Sequence, residues 1–258
     1  MWDVANELVE KLGRGWQCET APFPNSHVGT ALPAELASSL AAELPDLDDW
    51  RWRRYENPLE RKQLINYWDA FGPNTYRLLT ILVSESFSSA LGSALKLRGR
   101  LLPDPGLNGG GWHVHLPGSW LNTHRDYDSH PKLDAKRHLN LIFFLQPSWQ
   151  TGWGGHLEFW SGSEAGPKAI ASEVEPSFNS AVLFQTSGVA WHGVGQIAPE
   201  AHLPRVSLAV YYVLADERTK KGRAKALFYP SDEQRNDPEI AELIAKRADA
   251  EMASKVYE

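Results

Sequence analysis

The spacing of apolar residues along the chain changes near Gly109, from a helical pattern to a series of short strands. Between residues 73 and 97, apolar side chains recur every three or four positions, which is typical of a helix with one buried face. These side chains are Leu78, Leu79, Leu82, Phe87, Leu91 and Leu95. Residues 2–13 and 33–43 are also helical in pattern, and Pro33 suits a first helical turn. The N-terminal part is therefore predicted to be helical, with 73–97 forming one long helix packed on a sheet.

After Gly109, short apolar or alternating runs recur between turn residues. The runs are 112–116, 138–145, 156–160, 168–174, 181–185, 191–197 and 205–213. Short strands at regular spacing are typical of an all-β sandwich or barrel. The segment 237–255 is charged and again helical in pattern. We therefore predict a mainly β fold with flanking helices (α+β): a double-stranded β-helix, or jelly roll, with a cupin-like core buttressed by N-terminal helices.

The length of 258 residues suits a single domain spanning 1–258. Its predicted parts are a helical N-terminal support region (1–105), a double-stranded β-helix core (106–215) and a C-terminal helical extension (216–258). No internal repeat or low-complexity tract divides the chain.

Composition and charge narrow the classes of function. The net charge of −6 argues against nucleic-acid binding as the main activity. A single cysteine, Cys18, excludes an internal disulfide and a cysteine-built metal site, and it fits a reducing compartment. The first residues indicate an amphipathic helix and not a signal peptide, and no run reaches the roughly 18 apolar residues of a membrane span. We expect a cytoplasmic protein without nucleic-acid or membrane partners, and the oligomeric state stays open.

The stretch "WLNTHRDYDSH", residues 120–130, concentrates side chains that bind metals. His124 and Asp126 are two positions apart, and such residues point to the same face of a strand. His192, in the predicted strand 191–197, is a candidate third ligand. Two histidines and one carboxylate fill three corners of an octahedron and leave three open, as in non-haem Fe(II) oxygenases. A His-x-Asp sequence also occurs by chance, so a polar loop is the alternative interpretation.

The open corners would need a second ligand. A 2-oxo acid fills two of them and leaves one for O2, and its far carboxylate then requires a fixed cation. Arg205 is a candidate because a guanidinium group matches the geometry of a carboxylate. Ser207 shares the same strand face as Arg205 and can donate a further hydrogen bond.

From about residue 112 to 213, the chain resembles the Fe(II)- and 2-oxoglutarate-dependent dioxygenases, most of all their prolyl-hydroxylase-like branch. The resemblance lies in five segments that follow in the family's order. They are "LPGSWLNTHRDYD", "RHLNLIFFLQPSWQTGWGGHLEFW", "FNSAVLFQT", "WHGVGQI" and "RVSLAVYY". It does not extend to residues 1–105 or 216–258.

The resemblance implies that Fe(II) is the cofactor and that 2-oxoglutarate and O2 are co-substrates. It makes three side chains catalytic metal ligands: His124, Asp126 and His192. Arg205 becomes the anchor of the distal carboxylate of 2-oxoglutarate. Many relatives add a tyrosine contact, but the matching position here is Phe144, which has no hydroxyl group. The candidates for the missing contact are Ser207, Asn140 and His115.

The activity implied by the resemblance is hydroxylation of an unactivated C–H bond, with release of succinate and CO2. The implied partner is a small-molecule or peptidyl substrate: a prolyl residue, a free amino acid or a small metabolite. One alternative is a metal-dependent hydrolase that activates water on the same His-Asp-His triad, which would leave Arg205 without its role. Another is a non-catalytic, cupin-like binding module.

Overall fold

The computed structural model of this protein describes residues 1–16, 22–215, 223–249 and 251–257. Cys18 therefore lies outside the described residues. The helices are α1 (Trp2–Gly15), α2 (Ala34–Ala42), α3 (Pro73–Leu82), α4 (Glu85–Ala94) and α5 (Pro238–Ala248). The strands are β1 (Asn25–Val28), β2 (Arg53–Asn57), β3 (Glu60–Ile65), β4 (Leu101–Pro103), β5 (Gly111–His115), β6 (Leu121–Arg125), β7 (Ala135–Phe144), β8 (Leu157–Ser163), β9 (Gly166–Val174), β10 (Ser180–Gln185), β11 (Trp191–Val194), β12 (Arg205–Ala215) and β13 (Leu227–Phe228).

The strands form one curled antiparallel sheet in the order β1-β10-β7-β12-β5-β3-β6-β11-β8-β9. Three further strands extend it, since β2 pairs with β3, β4 with β12 and β13 with β6. Side chains from β5, β7 and β12 and from β6, β8 and β11 line the same internal cavity, so these two halves of the sheet face each other. This is the predicted double-stranded β-helix. Within the described ranges, no helix combines the length and apolar character needed to cross a bilayer.

Alternation along β7 and β12 separates a helix-facing side of the sheet from a cavity-facing side. The helix-facing side chains are Leu139, Leu141 and Phe143 on β7 and Val206, Leu208, Val210 and Tyr212 on β12. The cavity-facing side chains are Asn140 and Ile142 on β7 and Arg205, Ser207, Ala209 and Tyr211 on β12. Polar groups are therefore tolerated on the inner face, because the apolar layer that holds the fold together lies on the outer one.

Helices α1, α3 and α4 cover the outer face of the sheet. Their buried residues include Leu8, Leu12, Leu79 and Phe87, which join the sheet residues in one core cluster. Burying each such side chain stabilises the fold by about 1.5–3 kcal/mol. The hydroxyl group of Tyr212 donates a hydrogen bond of 3.0 Å to the carbonyl oxygen of Leu82, at the C-terminal end of α3.

Two details of the N-terminal part differ from the sequence-based expectation. The long helix predicted for 73–97 is two helices, since α3 ends at Leu82 and α4 begins at Glu85. The break has a local cause: the Ser84 hydroxyl oxygen accepts a hydrogen bond from the Phe87 amide, and such a cap starts a new helix. Residues 1–105 also contain β1 to β4 beside the predicted helices, and β3 lies between β5 and β6 in the sheet.

Glu43, just after α2, caps the N-terminus of α3. Its Oε1 accepts hydrogen bonds from the backbone and side-chain nitrogens of Asn74, at 2.9 and 2.8 Å. Its Oε2 accepts from the backbone nitrogen and the hydroxyl group of Thr75, at 2.7 and 2.8 Å. Burial alone would raise the pKa of Glu43, but these hydrogen bonds outweigh it and lower the pKa below its ordinary value. An ionised carboxylate at this position satisfies the amides that an α-helix leaves free.

We predict that Glu43→Gln lowers the free energy of unfolding by about 1 kcal/mol at pH 7. Because the folded-state pKa of Glu43 is depressed, its contribution is complete above the unfolded-state value near 4.5 and is lost as pH falls below it. Urea denaturation at pH 7, 5 and 4 measures this, with exposed Glu10→Gln on α1 as the control. A stability difference that does not shrink toward low pH would contradict the assignment.

Candidate functional site

Three polar side chains converge where β6 and β11 pair with each other. His124 on β6 and His192 on β11 are directly paired across the two strands, and their ring centroids are 4.3 Å apart. Asp126 lies just past the end of β6, with Oδ1 3.9 Å from Nε2 of His124 and Oδ2 3.8 Å from Nε2 of His192. One donor atom of each residue lies within 4.8 Å of the other two. The sequence prediction placed Asp126 inside the strand; it follows the strand, but the side chains still meet.

Hydrogen bonds to the backbone set the tautomers of the two histidines. Nδ1–H of His124 donates to the carbonyl oxygen of Asn122 at 3.0 Å, and Nδ1–H of His192 donates to that of Ala190 at 3.0 Å. Each Nε2 is therefore directed at Asp126 with its lone pair available. Burial, followed by the neighbouring His192, lowers the pKa of His124 to about 3, so this ring is neutral at pH 7. Neutral imidazoles oriented by their second nitrogen are typical metal ligands.

Asp126 is held beside a buried arginine. Arg137 Nη1 lies 3.5 Å from Oδ1 of Asp126, and its guanidinium carbon lies 3.6 and 3.4 Å from the ring centroids of Tyr127 and Tyr211. Burial alone would raise the pKa of Asp126, but the charge of Arg137, the largest opposing effect, lowers it below its ordinary value. Oδ2 of Asp126 is buried and accepts no hydrogen bond from any described residue. An ionised carboxylate with a free oxygen beside two imidazoles fits Fe(II).

The internal cavity that contains this cluster encloses about 180 Å³. All seven residues that the sequence singled out line it: His115, His124, Asp126, Asn140, His192, Arg205 and Ser207. A larger cavity of about 610 Å³ lies between β6, β8 and the segment after β13, but none of the seven lines it. The chemistry therefore points to the smaller cavity.

Arg205 is a buried cation at the start of β12. Its Nε donates to the carbonyl oxygen of Gly155 at 2.7 Å. No carboxylate of the described residues lies within 4 Å of its guanidinium group. Burial lowers the pKa of Arg205 to about 9, so it remains charged at pH 7. A buried charge without a protein partner is costly, and a ligand carboxylate in the cavity would satisfy it.

Other buried polar atoms that line the cavity also lack partners in the described part of the chain. His115, directly opposite Arg205 on β5, is 2% exposed, and neither ring nitrogen has a hydrogen-bond partner among the described residues. Burial, followed by the charge of Arg205, lowers the pKa of His115 well below its ordinary value, so the ring is neutral and one nitrogen carries a donor hydrogen. Oδ1 of Asn140 is likewise buried without a partner there. The donor hydrogen of His115, beside Arg205, fits the distal carboxylate of a dicarboxylic co-substrate, whereas Oδ1 of Asn140 is itself an acceptor and does not.

Phe144 lies beside this group of polar atoms. It pairs with Ser207 across β7 and β12, and its ring centroid is 4.9 Å from the guanidinium carbon of Arg205. Phe144 and Asn140 are four positions apart on β7, which places them on the same face of the strand. The ring packs in an apolar cluster with Leu157, Phe159 and Phe184. It does not line the cavity, so its contact with the site is the one with Arg205.

The C-terminal segment covers one side of the cluster, which the sequence did not reveal. Phe228 on β13 pairs with His124, and their ring centroids are 5.4 Å apart. Ala226, Phe228 and Arg247 line the cavity. A two-residue strand is too short to show a periodic pattern, so only the fold discloses this contribution.

The other polar residues of 120–130 secure the loop. His130 is buried, with Nε2 3.1 Å from Oδ2 of Asp104. Its Nδ1 accepts the backbone amides of Lys132 and Leu133. Asp128 forms an ion pair with Arg223 at 3.4 Å. These contacts place His130 and Asp128 outside the cluster and fix the loop that carries Asp126.

Comparison with known proteins agrees with this geometry. Residues 111–213 match the family model of the 2OG-Fe(II) oxygenase superfamily. The chain is also similar to the prolyl 3-hydroxylase OGFOD1 of Mus musculus, with 32% identity over 77 residues. That alignment covers 30% of this chain and 14% of the mouse protein.

Solved structures share the fold. A Pseudomonas putida prolyl-4-hydroxylase superposes with a TM-score of 0.54 at 20% identity, covering 81% of this chain and 98% of that one. A Phytophthora capsici prolyl 4-hydroxylase gives 0.55 at 15% identity, covering 96% and 76%. A Trichoplax adhaerens prolyl hydroxylase gives 0.53 at 14%, covering 83% and 93%. The solved structures thus share the fold of this chain, and the part that matches the 2OG-Fe(II) oxygenase superfamily model, residues 111–213, contains the His-Asp-His cluster and the buried arginine.

Proposed function

We propose that this protein is an Fe(II)- and 2-oxoglutarate-dependent oxygenase that hydroxylates an unactivated C–H bond and releases succinate and CO2. The observation that carries the proposal is the shared cavity of two side-chain groups. The convergent donors of His124, Asp126 and His192 lie in the same cavity as Arg205, a buried cation with no described acidic partner. The superfamily match of residues 111–213 supports it.

In this proposal, the two imidazole Nε2 atoms and a carboxylate oxygen of Asp126 hold Fe(II). The backbone carbonyls that accept the Nδ1–H groups keep both rings in position, and Arg137 keeps Asp126 ionised and oriented. Together with 2-oxoglutarate and O2, bound Fe(II) supplies the oxidant for the hydroxylation. Three protein ligands leave three coordination positions for these reactants.

The same proposal assigns the distal carboxylate of 2-oxoglutarate to Arg205. A neutral His115 donates a second hydrogen bond, in place of the tyrosine hydroxyl group that Phe144 lacks. Ser207 and Asn140 are the further polar groups within the cavity. The Phe144 ring packs beside the guanidinium group and keeps water away from that side of Arg205. Excluding water strengthens the ion pair between the guanidinium group and the carboxylate.

The substrate we propose is a prolyl residue, a free amino acid or a small metabolite. The prolyl hydroxylases named among the relatives favour the first. We further propose that residues 1–258 form a single oxygenase domain, and that it works in the cytoplasm, as the single cysteine indicates. A hydrolase would leave Arg205 without its role, and succinate formation separates both a hydrolase and a non-catalytic binding module from an oxygenase.

We predict that alanine in place of His124, Asp126 or His192 abolishes Mn(II) binding and succinate formation, because each supplies one of three protein ligands. Calorimetry with Mn(II) and a succinate assay measure the two effects. Melting temperature should show that each variant remains folded. The control is His156→Ala, a half-buried histidine outside the cavity. A variant that keeps both properties would remove its residue from the metal site.

We predict that Arg205→Lys weakens 2-oxoglutarate binding about ten- to a hundredfold, because an ammonium group cannot form the paired hydrogen bonds of a guanidinium. Titration of the Mn(II)-loaded protein gives the affinity. 2-Oxopentanoate, which lacks the distal carboxylate, serves as the matched ligand and should bind both proteins equally. If the variant loses affinity equally for both ligands, the substitution disturbs the whole site and Arg205 is not the specific partner of the distal carboxylate.

We predict that His115→Phe weakens 2-oxoglutarate binding about two- to tenfold, the usual effect of one lost hydrogen bond. The affinity for 2-oxopentanoate should not change, since it offers no acceptor at this position. Ser207→Ala, measured in the same way, tests the other side chain next to Arg205. If Ser207→Ala weakens binding of 2-oxoglutarate but not of 2-oxopentanoate, and His115→Phe has no such effect, then Ser207 and not His115 provides the second contact.

A further inference from the structure

One buried amide in the metal cavity has no hydrogen-bond partner among the described residues. Asn140 on β7 lines the cavity and is 2% exposed. Its Oδ1 is buried without a partner, and no hydrogen bond within the described ranges involves its Nδ2. Buried polar side chains in native proteins nearly always have a hydrogen-bond partner. The amide of Asn140 is therefore available to a bound molecule.

The neighbours of Asn140 in the sheet contact the metal cluster from two sides. Asn140 is paired with Phe184 on β10 and with Tyr211 on β12. The Phe184 ring centroid lies 4.9 Å from that of His192. The Tyr211 ring centroid lies 3.4 Å from the guanidinium carbon of Arg137, the arginine that contacts the carboxylate of the cluster. Because paired residues of an antiparallel sheet lie on the same face, the Asn140 amide is directed toward the cluster.

Asn140 and Arg205 lie toward different ends of the cavity. The residue paired with Asn140 on β12 is Tyr211, which is six positions after Arg205. At about 3.3 Å per residue, these two positions are about 20 Å apart along the strand. In the proposed function, 2-oxoglutarate extends from the metal toward Arg205. The end of the cavity that contains Asn140 therefore remains for the substrate.

The packing of β7 keeps the amide on the cavity face. Leu139 and Leu141, on either side of Asn140, are fully buried in the core beneath the helices. The register of β7 against β12 shifts at His138, and this bulge also brings Arg137 to the cavity face. Contact groups on strands are held more precisely than those on loops. Asn140 is thus a fixed group next to the metal site.

We propose that Asn140 contacts the substrate: Oδ1 accepts a hydrogen bond from an N–H group, and Nδ2 donates one to an oxygen beside that group. An amide side chain carries both an acceptor and a donor, which matches the N–H and oxygen atoms of a peptide group or of a free amino acid. A prolyl nitrogen within a peptide has no hydrogen, so a prolyl substrate would use the N–H of the following residue. This inference rests on the proposed oxygenase function and adds a chemical requirement for its substrate.

The first test requires no substrate. Melting temperature and 2-oxoglutarate affinity are measured on the Mn(II)-loaded wild type, on Asn140→Leu and Asn140→Ala, and on the control Asn236→Leu, an exposed asparagine before α5. We expect the four affinities to agree within about twofold. Asn140→Leu should melt at or above the wild-type temperature, because it removes a buried amide that has no hydrogen bond within the protein. Failure of the wild type to bind 2-oxoglutarate would instead count against the proposed function.

The second test uses two pairs of probes in which an oxygen atom replaces the N–H group without adding bulk. One pair is L-proline and (S)-tetrahydrofuran-2-carboxylate. The other is acetyl-prolyl-alanine amide and its ester analogue with lactate in place of alanine. In the wild type and Asn236→Leu, the N–H member of at least one pair should exceed its oxygen analogue about tenfold in kcat/KM for succinate formation, because the lone pairs of that oxygen would face Oδ1. Asn140→Leu should remove this preference, and Asn140→Ala serves in its place if the leucine variant does not fold.

The pair that shows the preference identifies the N–H group as that of an amino acid or of a peptide. A tenfold loss of 2-oxoglutarate affinity in the Asn140 variants would assign the amide to the co-substrate and overturn the inference. A fall in melting temperature of more than about 4 °C in both variants would give Asn140 a structural role and overturn it as well. The same holds if no probe stimulates succinate formation, if neither pair shows a preference, or if the Asn140 variants retain one. Succinate formed without added substrate would show that the proposed function still holds.

Discussion

The two-residue alternation along β7 and β12 is the constraint on which the rest of the structure depends. Every second side chain joins the apolar core beneath the helices, and the residues between them face the cavity. Because the outer face supplies the burial that stabilises the sheet, the inner face can carry charged and polar groups that contribute little to folding. If the register of β12 shifted by one residue, its apolar side chains would face the cavity and its polar side chains would face the helices. The packing of the helices against the apolar side chains therefore also directs Arg205 into the cavity.

The same alternation explains how much of the protein was predictable. Leucine and phenylalanine at regular spacing predicted the strands of the core, and His124, Asp126, His192 and Arg205 appear in the family's order in the sequence. What escaped prediction has no periodic signal. The break at Ser84 depends on one hydroxyl group, and β13 is two residues long. Arginine side chains are usually exposed, so the sequence does not show that Arg137 is packed against the rings of Tyr127 and Tyr211.

Buried charge is the second theme of the site. Asp126, Arg137 and Arg205 line one small cavity, and no carboxylate of the described residues forms an ion pair with Arg205. An unpaired buried charge lowers the stability of the unliganded protein. A ligand that supplies the opposite charge binds the folded state and raises its stability again. The protein thus trades part of its own stability for affinity toward anions. His115 is a neutral side chain of the same kind, because both of its buried ring nitrogens lack a hydrogen-bond partner among the described residues.

The position of β13 has a consequence for how the site is assembled during synthesis. His124, Asp126 and His192 all lie in the part of the chain that precedes β12, whereas Phe228 and Arg247 come from the segment after it. When the chain emerges from the ribosome, the three donors can meet before Phe228 covers His124. Until the segment after β12 has been made, the metal donors lack the cover that Phe228 provides.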